Sequence, residues 1–176
     1  MKNNIIMLSD SYKVTHWLQY PPKTNTVYSY FESRGGMFPH TMFFGLQYYL
    51  KEYLQGVVVT EDKISEADEI ISAHLGNGAL FNREGWEYIL KEHGGNLPVR
   101  IKAVPEGTVV ENSNVLMTIE NTVPKYFWLT NYLETLLVQV WYATTVATQS
   151  REIHKMITDY ANRSGDPSLV NFKLHD

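Results

Sequence analysis

The chain has 176 residues, 44% hydrophobic and 13% aromatic, with a net charge of −4 and no cysteine. That length suits one domain, or one and a fraction, around a buried core, and the apolar content excludes a disordered chain. The acidic balance argues against a general nucleic-acid binder, and the missing cysteines exclude disulfides, thiol catalysis and cysteine-held zinc or iron–sulfur.

The run after Met1 is too short and too weakly apolar for a signal peptide, and no stretch is long enough to span a bilayer. A soluble, cytoplasmic protein with no membrane and no nucleic-acid partner is expected. Ser9 or Asp10 then offers an N-cap for a short helix through His16 to Tyr20, stopped by Pro21-Pro22. Residues 25–34 alternate as a strand, with Val27, Ser29 and Phe31 on one face and Tyr28, Tyr30 and Glu32 on the other. Gly35-Gly36 breaks it.

Residues 41–54 carry apolar side chains at helical spacing and predict an amphipathic helix. Gly45 lies inside it, where a glycine costs stability unless something packs close. Thr60-Glu61-Asp62 starts the next helix, a capping hydroxyl followed by acids near the positive end of the dipole. Asn82 caps another, ended by Gly94-Gly95. Residues 97–104, 108–110 and 115–119 read as strands, with Asn112-Ser113-Asn114 as a turn, which implies a mostly antiparallel sheet. Leu129, Leu133, Leu136, Leu137 and Val140 then form one helical stripe. Residues 145–162 predict a last helix, and Phe172-Lys173-Leu174 a strand just starting.

Chemistry concentrates in Asp10-Ser11-Tyr12-Lys13-Val14-Thr15-His16, which packs a carboxylate, a hydroxyl, a phenol, an ammonium and an imidazole into seven residues. On composition alone the ordinary reading is an N-cap acid beside a partly buried tyrosine. Arg34, ending a strand before two glycines, is ordinarily a solvated surface group. His16, His40, His74, His93, His154 and His175 show no metal-binding spacing, and His16 reads as a structural hydrogen-bonder. No Walker loop, dinucleotide fingerprint or nucleophile elbow is present.

The seven-residue run, with Gln19-Tyr20-Pro21-Pro22 behind it, resembles the N-terminal signature of nicotinamide phosphoribosyltransferases. Val27-Tyr28-Ser29-Tyr30-Phe31-Glu32, Phe44-Gly45-Leu46-Gln47-Tyr48, Ile101-Lys102-Ala103-Val104-Pro105-Glu106-Gly107, Trp128-Leu129-Thr130-Asn131, Val146-Ala147-Thr148 and Lys173-Leu174-His175-Asp176 follow in the same order. The resemblance implies an α/β fold. Residues 1–165 would form a mixed α+β domain with a mostly antiparallel sheet and long helices, and residues 166–176 the start of an incomplete (β/α) barrel of the type II phosphoribosyltransferases.

The implied reaction, part of NAD biosynthesis, joins nicotinamide to 5-phosphoribosyl 1-pyrophosphate and gives nicotinamide mononucleotide and pyrophosphate. By resemblance, Asp10 and Tyr12 reach into the partner subunit's site and hold the nicotinamide ring. Arg34 contacts phosphate, also in trans, although the loop after it is shorter than is usual in the family. Lys173 and His175, on one strand face, line the site and the tunnel behind it. No catalytic residue and no metal ligand falls within this segment. Mg²⁺, with ATP as a second candidate, would serve the complete enzyme and neither is expected to bind this segment alone. The implied assembly is a homodimer with sites at the interface, the barrel completed by a second chain or a C-terminal part. Two alternatives stay open: a nicotinate phosphoribosyltransferase portion, or a non-catalytic dimerisation module or half of a split enzyme.

Overall fold

The computed structural model describes residues 4–173. A three-stranded antiparallel sheet of order β1-β5-β3 is formed by β1 (Tyr28–Glu32), β3 (Val99–Ala103) and β5 (Val115–Asn121). A second, two-stranded sheet pairs β2 (His40–Met42) with β4 (Val109–Glu111), also antiparallel. The predicted mixed α+β layout with antiparallel pairing is therefore present. The alternation expected in β1 holds through Phe31, with Tyr28 and Tyr30 exposed while Ser29 and Phe31 turn inward; a register shift between Phe31 and Glu32 leaves Glu32, expected on the tyrosine face, half-buried. In the register, Ile119 faces Ser29 on one side and Ile101 on the other.

Local chemistry sets several helix ends where the sequence places them. In α2 (Glu61–Leu75) the Thr60 side chain accepts from the Lys63 amide, and Gly76 closes the far end at φ 68°. In α3 (Arg83–His93) the Asn82 side chain accepts from the Gly85 amide at 3.1 Å, and Gly94 closes it at φ 57°. The stripe Leu129, Leu133, Leu136, Leu137 and Val140 is fully buried. It lies on α4 (Leu129–Tyr132), α5 (Glu134–Leu137) and the start of α6 (Val140–Ser164).

The heart of the core is aromatic. Trp86 of α3 meets Trp128 at 4.9 Å and Tyr132 at 5.1 Å between ring centroids, both edge to face. Burial of side chains this large supplies the main driving force for joining α3 to α4.

Three expectations change. Residues 41–54 are not one helix. Thr41 and Met42 pair with Val110 and Val109, so the segment starts as β2. Gly45 follows at φ 103° as the N-cap of the short α1 (Leu46–Tyr49), and a turn of π-helix, Leu50–Leu54, completes it. The close packing expected at Gly45 is real: a Cβ there would lie 2.6 Å from the Ala143 Cβ. Second, the motif helix Ser11–Leu18 is a 3₁₀ helix, and Asp10 sits at its N-cap without capping it. Third, Phe172 and Lys173 are not in a strand. Asp166 accepts from the Ser168 amide at 2.9 Å, Pro167 opens a 3₁₀ turn, and the chain runs on into α7 (Val170–Lys173). A capped helical start with Pro at its head sets helical geometry locally, so no barrel strand occurs among the described residues.

Candidate functional site

The motif is pinned to the core before it presents anything to solvent. The Tyr132 hydroxyl donates to the Ile6 carbonyl at 2.7 Å, and the Tyr132 carbonyl accepts from the Ser9 hydroxyl at 2.9 Å. Burial raises the Tyr132 phenol far above its ordinary pKa, so it remains a donor. One residue of α4 thus holds both ends of the segment that leads into Asp10.

Asp10 then turns away from its own helix. Its Oδ2 accepts from the Thr135 hydroxyl at 2.8 Å and from the Tyr12 hydroxyl at 3.1 Å, and lies 3.2 Å from the Lys13 ammonium. The Thr135 oxygen in turn accepts from the Asp10 amide at 3.2 Å and from Lys13 Nζ at 2.8 Å. A hydroxyl has one proton to donate and two lone pairs to accept with, so Thr135 is fully engaged. Lys13 is only 6% exposed and is also ion-paired with Glu134. The Thr135 hydrogen bond, then the Lys13 contact, hold the Asp10 carboxyl below its ordinary 3.8. The same carboxylate pushes the Tyr12 phenol up.

The outcome is a tyrosine tethered at its hydroxyl and open at its ring. Tyr12 is 61% exposed; among the described residues its ring meets the His16 ring, tilted at 5.3 Å, and the Lys13 ammonium at 5.8 Å. His16 therefore meets an aromatic face, and its side chain makes no hydrogen bond among the described residues. A second strap holds the motif from the other side, where Ser11 Oγ and His74 Nε2 are 2.7 Å apart.

Arg34 is exposed, and among the described residues its guanidinium has neither hydrogen bond nor ion pair. It stands at the edge of two clefts. One, of about 470 Å³, is walled by β1, by Met117 and Ile119 of β5, and by Glu134 and Leu137. The other, of about 450 Å³, runs past Gly35, Gly36 and His40 to Trp141 and Thr148 on α6. Gly35 and Gly36 have φ of 107° and 154° with open space where a side chain would be, so their backbone is accessible. Glu134 connects the halves of the site, because it pairs with Lys13 and also lines the cleft that Arg34 borders.

Asp10 and Tyr12 are thus in direct contact, and Arg34 joins them only through the cleft wall. Lys173 lies in α7, where its ammonium is 5.9 Å from the Phe172 ring centroid, so the strand alternation that paired it with His175 does not apply. His175 lies outside the described residues. Lys13, Glu134 and Thr135 were not singled out from the sequence. Lys13 sits inside the motif, but a Glu-Thr pair in the middle of a leucine stripe gives no local sign that it faces Asp10.

The family model for the nicotinamide phosphoribosyltransferase N-terminal domain matches residues 4–101. Among curated relatives of that name, the protein of Xanthomonas campestris pv. campestris is 49% identical over 176 residues, covering 99% of this chain and 37% of the relative. The Acinetobacter baylyi protein is 34% identical, covering 89% of this chain and 34% of its own length. The Mycoplasma genitalium protein is 28% identical over 97% of this chain and 42% of the relative. The matched region has the character of a phosphoribosyltransferase N-terminal domain. The chain belongs to the nicotinamide phosphoribosyltransferase family, and it spans between a third and somewhat under half of the length of these relatives. Among the described residues no helix is long and apolar enough to cross a membrane, and no three His, Asp or Glu side chains gather as a metal site.

Proposed function

We propose that this chain is the ring-binding and phosphate-contacting portion of a nicotinamide phosphoribosyltransferase working in the cytoplasm. The ring nitrogen of nicotinamide attacks the anomeric carbon of 5-phosphoribosyl 1-pyrophosphate, the C–O bond to pyrophosphate breaks, and nicotinamide mononucleotide forms. Positive charge builds on the sugar as the bond breaks, so the protein's work is positioning and charge stabilisation. Tyr12 offers a face to the flat pyridine carboxamide, and Asp10 a polar edge. Arg34 offers two parallel donors to phosphate oxygens.

The observation that carries this reading is the state of Tyr12: ring open to solvent, hydroxyl anchored by Asp10. An exposed aromatic with a fixed edge is ready for a ring brought to it from outside the chain. We assign that meeting to the interface of a homodimer, with each chain serving its partner's site. Lys173 and His175 are proposed to lie toward the tunnel behind the ring. Mg²⁺ accompanies the pyrophosphate, and ATP is a second candidate cofactor. The described residues offer no cluster that fits a metal ion.

The test uses the complete protein that carries this segment. Tyr12→Ala should raise the nicotinamide KM about fivefold, the scale of one lost aromatic contact, and leave the 5-phosphoribosyl 1-pyrophosphate KM within twofold. Arg34→Ala should show the opposite pattern. Mixing Tyr12→Ala subunits with subunits inactivated elsewhere should restore activity at hybrid sites. No recovery in the mixture, or an unchanged nicotinamide KM, overturns the assignment. The 176-residue polypeptide alone should make no mononucleotide from the two substrates and Mg²⁺.

A further inference from the structure

We infer that Thr135 is a positioning residue for the nicotinamide face: through Asp10, its hydroxyl sets where the ring of Tyr12 stands. The inference rests on the proposed role of Tyr12. It concerns a residue on α5 that the substrate need not touch.

Left to itself, Tyr12 would have considerable freedom. Its ring is largely exposed and touched by His16 at 5.3 Å and Lys13 Nζ at 5.8 Å, so packing alone holds its rotamer loosely. The hydroxyl bond to Asp10 Oδ2 at 3.1 Å fixes its tip. Asp10 is itself at a 3₁₀ N-cap and takes no part in capping, so no backbone amide of its own helix holds its side chain. What holds it is Thr135, at both the backbone and the side chain: the Asp10 amide donates to the Thr135 oxygen, and the Thr135 hydroxyl donates to the Asp10 carboxylate. Two bonds to one partner define an orientation, where one bond leaves a swivel.

Lys13 is the second support, and it too runs through Thr135. Its ammonium donates to the Thr135 oxygen at 2.8 Å while pairing with Asp10 and Glu134. A nearly buried ammonium in a site of reduced dielectric demands partners, so removing the hydroxyl shifts Lys13 as well as Asp10. Thr135 itself rests on α5, whose neighbours Leu133, Leu136 and Leu137 are at most 2% exposed. A rigid element thus carries the hydroxyl, the hydroxyl orients the carboxylate, and the carboxylate orients the phenol. Arg34 takes no part in this chain of contacts.

That separation supplies the test. Thr135→Val keeps the shape and removes the hydroxyl. In the complete enzyme it should raise the nicotinamide KM about fivefold, the scale of one or two lost hydrogen bonds, and leave the 5-phosphoribosyl 1-pyrophosphate KM within twofold. Thr135→Ser should restore both values to within twofold of the parent, since the hydroxyl returns. A parallel rise in both KM values, no rise in either, or a Thr135→Ser protein that behaves like Thr135→Val overturns the inference. Thr135→Ala gives the same readout should the valine protein not fold. Tyr12→Ala, measured alongside, separates the two claims. If Tyr12→Ala leaves the nicotinamide KM unchanged, the ring-stacking role fails. If it raises that KM while Thr135→Val does not, stacking stands and the positioning role of Thr135 fails.

Discussion

Asp10 carries three attractive partners on one oxygen, and the pH dependence of the motif follows from that. Its folded pKa lies below the ordinary 3.8, chiefly through Thr135 and then Lys13. A group depressed on folding contributes stability that is complete above its unfolded value and is lost as pH falls through the folded one. The carboxyl carbon of Asp10, followed by NMR, should therefore titrate below 3.8, and in Thr135→Val it should titrate closer to the ordinary value. Lys13 is the other residue under constraint. Lys13→Met leaves Glu134 and Asp10 without their cation, but both carboxylates are about half exposed and water takes over part of the charge. The cost should be about 1–2 kcal/mol in urea unfolding, below that of breaking a fully buried pair. Gly45→Ala combines a left-handed backbone with a clash against Ala143, and should cost roughly 2 kcal/mol or more by the same measurement.

At the scale of elements, α3 depends on a cap that can be removed singly. Asn82→Ala removes the acceptor for the Gly85 amide and should lower stability by about 1 kcal/mol, read as a shift in the urea midpoint at constant slope. Such caps are legible in the sequence because donor and acceptor lie within four residues of each other. The same holds for Thr60 and Gly94, and for the alternation of β1. Residues 41–54 were misread because the deciding partner is distant. Helix is present from Leu46 onward, with Leu46 buried and Tyr48 exposed, but Thr41 and Met42 gain strand partners in β4, and Gly45 turns the chain between the two states. Phe172 and Lys173 show the reverse: the strand expected to start there gives way to the local Asp166-Pro167 helix start. The site divides along the same line. Asp10, Tyr12 and Arg34 stand out by type, and the exposure of Tyr12 and Arg34 suits the roles proposed for them. Thr135 lies 125 residues from Asp10, and nothing local to either residue announces the pair.

Across the whole molecule, apolar surface is unevenly distributed. The core is closed by Trp86, Trp128 and the leucine stripe, but α6 buries only Val140 and Thr144 along 25 residues. Tyr142, Val146, Ile153, Met156 and Tyr160 remain exposed on it. A helix anchored in the core at its first turns, and covered beyond residue 150, among the described residues, only by the short 167–173 segment, is expected to fray from its C-terminal end. Amide exchange beyond residue 150 should be faster than in β5, and a uniform protection pattern along α6 would contradict this. Exposed apolar surface of this extent also favours association. Light scattering of the isolated polypeptide should show a mass that rises with concentration.

Tyr132, with its hydroxyl on Ile6 and its carbonyl on Ser9, also fixes an order of events in time. The segment that presents Asp10 and Tyr12 leaves the ribosome before its anchors, which lie more than 120 residues downstream. Contacts so distant close late, because the loop entropy comes before the reward. The motif is therefore born without its geometry and acquires it only when α4 and α5 dock. Substitutions at Ser9 or Thr135 should accordingly speed unfolding and leave the folding rate nearly unchanged.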